Sequence, residues 1–135
     1  MHAGADRATA GRFAILAWCC VAAMVAYLQR TAIGVAGGQI REDLGLSVVE
    51  FGFVMSGYYW TYALSQLPAG WVGQQIGARN MLMACVAGSS AMTILAAVSP
   101  SGQTFALCWL CAGVAIAGIF PSCVQLFVAA FAPTA

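Results

Sequence analysis

The sequence predicts an all-α, polytopic transmembrane bundle of four helices, and three observations carry that prediction. Hydrophobic residues make up 62% of the chain and charged ones only 7%, whereas a soluble domain carries about 25% charged residues. The apolar residues fall into four runs, at about 13–36, 49–73, 80–98 and 103–131. A helix needs about 20 such residues to cross a hydrocarbon core of about 30 Å. Short polar breaks separate the runs, so each reads as its own span.

A polar leader, residues 1–12, precedes the first run and holds the chain's single histidine, His2. Arg7 and Arg12 before an apolar stretch also fit a secretory signal. Removing that stretch would leave three further spans, so an uncleaved first span is the better reading. Gly37–Gly38 followed by Gln39, Arg41, Glu42 and Asp43 ends the first run. Ser47 with Glu50 three residues on forms a capping-box pattern that opens the second helix. Gln74-Gln75-Ile76-Gly77-Ala78-Arg79 closes it, and Ser99-Pro100-Ser101-Gly102 has the residues of a tight turn before the fourth. Small residues four apart (Gly34/Gly38, Ala69/Gly73, Gly73/Gly77) suit close helix packing in lipid.

Arginine placement sets the expected orientation. Arg7, Arg12 and Arg79 lie on one side, and Arg41 lies on the other beside Glu42, Asp43 and Glu50. Positive charge favours the cytoplasm, so both termini are expected there, in a multi-pass protein of the cell (plasma or inner) membrane. Lysine is absent and the five arginines are scattered, which leaves no basic patch for nucleic acid. The expected partners are the lipid bilayer and a small solute.

Six cysteines, Cys19, Cys20, Cys85, Cys108, Cys111 and Cys123, all sit inside apolar runs and read as small packing residues. No cofactor or metal is expected, because His2 is the only histidine and lies outside the spans. Cys108 and Cys111 do raise one alternative, a four-span thiol oxidoreductase with Cys-x-x-Cys near the start of its last span. Such enzymes need partner cysteines in outer loops, and 37–48 and 99–102 hold none. A second alternative, a dimeric four-helix exporter, relies on a glutamate inside its first span. None stands between Phe13 and Ala36.

Arg30 is the residue most expected to carry function. It lies roughly 9 Å inside the end of the first run at about 1.5 Å rise per residue, and an ionisable group within a span by default marks a substrate or ion pathway. A snorkelling arginine is the structural alternative. Tyr27, Arg30, Thr31 and Gly34 follow helical spacing and share one face. A guanidinium fork beside hydroxyls suits a carboxylate or phosphate. In the second run Tyr58, Tyr62 and Gln66 form a polar stripe fit for a cavity wall. An interfacial aromatic belt is the better account of Tyr58, Tyr59 and Trp60, but a poor one of the deeper Tyr62 and Gln66.

These residues carry a resemblance to a known family. Tyr-x-x-Arg at Tyr27 and Arg30, Asp-Leu-Gly-Leu-Ser at 43–47 and Tyr-Ala-Leu-x-Gln-x-Pro-x-Gly at 62–70 resemble the anion:cation symporter branch of the major facilitator superfamily. That branch includes hexuronate, galactonate, phosphate and vesicular glutamate carriers. Gly70, Gly73, Gly77 and Arg79 match the superfamily's Gly-rich loop, a conformational gate, and Gly118–Pro121 a Gly-x-Phe-Pro element. The resemblance implies the first part of a major facilitator fold, a transporter of small organic anions with no enzymatic activity. It implies that Arg30 binds the anion, with Tyr27 and Tyr62 lining the same cavity; Gln66 is added as a binding candidate by its place on the polar stripe. It also marks departures. Gln29 stands where sugar-acid members often have an aspartate, Gln74 replaces the loop's usual aspartate, and Trp109 and Ile116 replace an arginine and a glutamate. No carboxylate lies deeper in the runs than Glu50. Major facilitators have twelve spans in two halves, so the chain reads as an N-terminal fragment whose partner is the missing C-terminal half, with residues 132–135 a truncated end.

The topology is directly testable. A cysteine introduced at Gly102 should react with an impermeant maleimide from outside, and one at Thr134 should not. The reverse pattern would overturn the orientation.

Overall fold

The computed structural model describes the backbone of residues 2–131 and the side chains of residues 11–131; the side chains of His2 and Arg7 and the end 132–135 lie outside the described residues. Five helices account for nearly all of it: α1 (His2–Asp43), α2 (Val48–Ile76), α3 (Ala78–Ala97), α4 (Gly102–Ile116) and α5 (Ile119–Phe131). Gly11–Asp43, Ala78–Ala97 and the joined stretch Gly102–Phe131 are each long and apolar enough to cross a membrane. With 29 residues α2 has the length, but its run of tyrosines, threonine and glutamine dilutes its apolarity.

The first helix does not stop at Gly37–Gly38. In lipid an unpaired backbone group has no water to turn to, so two glycines, each costing about 1 kcal/mol in a helix, do not end the hydrogen-bond ladder. Gly37 is instead a seat for α2, because a Cβ there would stand 2.9 Å from the Phe51 ring. The helix ends six residues later in a Schellman turn. Leu46 N–H donates to Arg41 C=O at 2.9 Å, Gly45 N–H to Glu42 C=O at 3.3 Å, and Gly45 takes φ +61°. The capping box at Ser47 is formed: Ser47 N–H donates to Glu50 Oε2 at 2.8 Å and Glu50 N–H to Ser47 Oγ at 3.2 Å.

The last apolar run is not one helix. Pro121 has no N–H to offer the carbonyl of Ala117 four residues back, and its ring crowds that carbonyl. The chain therefore breaks at 117–118. Ala117 N–H closes α4 on Val114 C=O, and the ladder restarts with Ser122 N–H on Gly118 C=O at 3.1 Å. Gly118 fits the break because α3 presses against it: a Cβ would stand 2.5 Å from Cys85 Sγ.

The core is built on α4. Phe105, Trp109, Ala112 and Ile116 recur at helical spacing and are all buried, which gives α4 one continuous inward face. That face packs along α3 and α2, while α5 packs against α3 and α1. α2 and α4 approach closely at Gly113. Thr61 Oγ1 donates across to Leu110 C=O at 3.2 Å, and a Cβ on Gly113 would overlap Thr61 Oγ1 and stand 2.8 Å from Tyr58 C=O. The small-residue pair Gly34/Gly38 is not used in this way, since nothing lies within 4 Å of either Cβ position.

Gly113→Leu should therefore destabilise the bundle by about 1–3 kcal/mol, the usual cost of overpacking, read as a lowered midpoint of thermal or detergent-induced unfolding. Gly88→Ala should be neutral or slightly stabilising, because its added Cβ meets Ala115 Cβ at an ordinary 3.5 Å.

Candidate functional site

A file of aromatic rings leads from the core toward Arg30 of α1. Phe51 and Phe105 stack at 6.4 Å, Phe105 and Trp109 at 6.4 Å, and Trp109 and Tyr58 at 4.6 Å. Tyr58 meets Tyr59 edge-on at 5.7 Å. Tyr58 is only 4% exposed, so it is a core residue rather than a belt aromatic; Trp109 covers it. Tyr59, one residue on, points away from that core toward α1.

There Tyr59 receives Arg30. The Arg30 Nε–H donates to Tyr59 Oη at 3.1 Å, and the guanidinium carbon lies 4.4 Å from the ring centroid. A phenol is a neutral partner, so it orients the cation without cancelling it. The Nη groups have no hydrogen-bond partner among the described residues, which leaves the planar fork available for bidentate contact with an oxyanion.

Arg30 opens onto a cavity of about 390 Å³ between α1, α2 and the α4–α5 break. Tyr27, Tyr58 and Tyr62 share its lining, with Ile119, Phe120 and cysteines Cys19, Cys20 and Cys123 forming the apolar remainder. The volume lies in the usual range for small-molecule pockets, roughly 300–1,000 Å³. No carboxylate lines it. Ile119 and Phe120 reach it from the first turn of α5, just past the break at 117–118.

Each residue expected at the site has a definite place. Tyr27, Arg30 and Tyr62 line the one cavity. Gln66 does not; it sits one turn behind and donates Nε2–H to Tyr62 Oη at 2.7 Å, which fixes the phenol's direction. Thr31 turns its hydroxyl back onto Tyr27 C=O at 2.9 Å and offers nothing to the cavity. Gln29 faces the other way and donates to Ser90 Oγ of α3 at 2.9 Å. The Gly-rich stretch is not one loop: Gly70 and Gly73 lie within α2 and Arg79 within α3, and only Gly77 turns the chain between them, with φ +87°. Gly73 is buried near Met81 and Gln125. The Gly70 carbonyl accepts from Gln125 Nε2 at 3.3 Å, which ties α2 to α5, and Arg79 is exposed at the start of α3. Cys108 is half-buried and Cys111 exposed on α4; both are free thiols.

Sequence reasoning missed Tyr59 as the arginine's partner, although depth could have revealed it. Counted from the α1–α2 turn at about 1.5 Å per residue, Arg30 lies roughly 20 Å down one helix and Tyr59 roughly 17 Å down the next.

The apolar helices define a membrane-embedded bundle with a lateral cavity that Arg30 lines. The chain belongs to the Major Facilitator Superfamily, whose profile matches residues 19–135. It is 31% identical over 84 residues to a Pseudomonas putida protein named "Probable galactarate/D-glucarate transporter", covering 62% of this chain and 18% of that one. It is 30% identical over 83 residues to an Escherichia coli "D-galactonate transporter", covering 62% and 19%. A Cupriavidus necator "Probable sulfoacetate transporter" is 28% identical over 116 residues, covering 86% and 27%. The matched region thus spans about a fifth to a quarter of the length of these curated relatives. All three are named as transporters, not enzymes.

The Arg30–Tyr59 contact should be measurable. Tyr59→Phe keeps the ring and should cost about 1 kcal/mol; Tyr59→Leu also removes the cation–π contact and should cost about 0.5–1 kcal/mol more. A double-mutant cycle with Arg30→Met should return a coupling of about 1–2 kcal/mol in unfolding experiments. A coupling near zero would show that the contact does not hold in the membrane.

Proposed function

We propose that this chain forms the first four spans of a secondary transporter that moves a small organic anion by alternating access. In this reading the crossings lie at about 13–36, 49–73, 80–98 and 103–131. The polar-faced α2 is the second of them, and both termini are cytoplasmic in the cell (plasma or inner) membrane. The remaining helices of the parent supply the opposite wall, and rocking of the two halves exposes the site to each side in turn.

One observation carries the reading: a guanidinium with a free fork, held by a neutral phenol, in a cavity lined by three tyrosines and no carboxylate. A charge left uncompensated within a span is costly unless something pairs with it, and an anionic solute is the natural partner. Arg30 binds the anionic group, Tyr27 and Tyr62 donate hydrogen bonds beside it, and Gln66 orients Tyr62. The names of the relatives, which refer to aldarate, aldonate and sulfonate anions, support the substrate class. Gly70 and Gly73 of α2, Gly77 at the turn and Arg79 of α3 form the gating element. No carboxylate stands at the positions of Gln29 and Ile116, so coupling falls to groups elsewhere in the parent.

The test belongs in a full-length parent carrying these spans. Arg30→Lys keeps the charge but loses the bidentate fork. It should weaken anion uptake roughly ten- to a hundredfold, the effect of losing a charged hydrogen bond of about 1.5–3 kcal/mol, while surface expression is unchanged. Tyr62→Phe should cost less. Lysine snorkels as well as arginine, so undiminished uptake by Arg30→Lys would identify Arg30 as an interface anchor and end the assignment.

A further inference from the structure

Two adjacent residues of α1 are tied to two different helices. Gln29 Nε2–H donates to Ser90 Oγ of α3 at 2.9 Å, and Arg30 Nε–H donates to Tyr59 Oη of α2 at 3.1 Å. Among the described residues these are the only hydrogen bonds from an α1 side chain to another helix; Thr31, next along, bonds within α1. α3 is equally sparing. Ser89 donates to Val86 C=O at 3.1 Å and Thr93 to Ser89 C=O at 2.8 Å, so Ser90 is the one hydroxyl that α3 offers to α1. From Phe13 to Ala26 every residue of α1 is apolar, and a helix that is apolar all round has no single face marked for burial. The two polar tethers supply that mark.

We propose that Gln29 and Ser90 are positioning residues for Arg30: their hydrogen bond fixes the rotation of α1 about its own axis and so aims the guanidinium fork. Successive residues stand about 100° apart round a helix, so the two tethers restrain α1 in different directions at one depth. At about 6 Å from the axis, half the diameter of a helix with its side chains, a turn of about 20° moves a side-chain tip by about 2 Å. That is enough to break either bond. It also exceeds the tolerance of roughly 0.5 Å and 10–20° within which a binding constellation works. The Gln29 amide holds firmly, because in lipid no water replaces a lost partner. Gln29 is not among the residues that line the Arg30 cavity, so it acts through Arg30. The consequence for transport rests on the reading of Arg30 as the anion's ligand; the aim of the guanidinium does not, and it is measured without any anion.

The coupling between Arg30 and Tyr59 reports that aim. It is read as a double-mutant cycle of Arg30→Met and Tyr59→Leu in the unfolding equilibrium of the chain, where the pair should count for a factor of about five to thirty. The cycle is then repeated on a Ser90→Ala and on a Gln29→Leu background. On either, the factor should fall at least about threefold, and on both together no further, since the two changes cut the same bond. Ser89→Ala, which removes the neighbouring hydroxyl that bonds within α3, should leave the factor unchanged. An undiminished factor on the Ser90→Ala and Gln29→Leu backgrounds would overturn the proposal. So would an equal fall with Ser89→Ala, because the coupling would then follow a general loosening of α3. Neither result bears on Arg30 as the anion's ligand, which uptake by Arg30→Lys decides separately.

Discussion

The stack of Trp109 on Tyr58 is the contact on which the rest of the bundle depends. It joins α2 to the one helix with a fully buried face, and it works only because Gly113 lets the backbones approach below it. Aromatic pairs contribute about 0.5–1.5 kcal/mol beyond the area they bury. The Trp109 Nε1–H is buried without a hydrogen-bond partner among the described residues, and such an orphan costs about 1–3 kcal/mol. The stack and the surrounding packing offset that cost. Because Tyr58 is fixed, Tyr59 is fixed about 100° round the helix from it, and Tyr59 is what holds Arg30. The position of the charge is thus a consequence of core packing one residue away.

A single missing N–H shapes the cavity that the charge faces. Without Pro121 the apolar run from Gly102 would propagate as one rod, since every residue in it can extend a helix in lipid. The proline removes one donor, Gly118 accepts the close approach of α3, and the ladder resumes as α5 after a two-residue turn. Ile119 and Phe120 of its first turn and Cys123 of its second line the cavity.

How much of this was legible in the sequence follows from which signals are local. Composition and run length identified the apolar helices, because the bilayer imposes both. The capping box at Ser47 was legible because its two partners are three residues apart. That the helix itself runs on past the Gly37–Gly38 pair, to Asp43, was not legible, because the ring of Phe51 that Gly37 seats is not a local signal. The break at 117–118 had its signal in Pro121, but unbroken apolarity outweighed it. At the candidate site, helical spacing put Tyr27 and Arg30 on one face and Tyr58, Tyr62 and Gln66 on another, and the folded chain brings Tyr27, Arg30, Tyr58 and Tyr62 to one cavity. Spacing could not say which of two adjacent tyrosines faces α4 and which faces α1, since that depends on the seat provided by Trp109. Nor could it separate Gln66, which supports a lining residue, from the residues that line.

The choice of a phenol as the partner of Arg30 has a consequence for what else can bind. A carboxylate in its place would form a charge-assisted pair roughly twice as strong as a neutral hydrogen bond, and would leave a net-neutral site with little attraction for a second anion. Tyr59 makes one neutral hydrogen bond and offers its ring face, which together hold the guanidinium in place at a cost an incoming oxyanion can exceed. The same reasoning applies to the three phenols around the cavity: each can donate to an oxyanion, and none carries a charge that repels it. In a low-dielectric surrounding a fixed cation acts strongly over several ångströms, so the absence of any acid deeper than Glu50 is as much a part of the site as Arg30. The arrangement is electrostatically one-sided by construction, and aromatic packing rather than ion pairing is what keeps it in place.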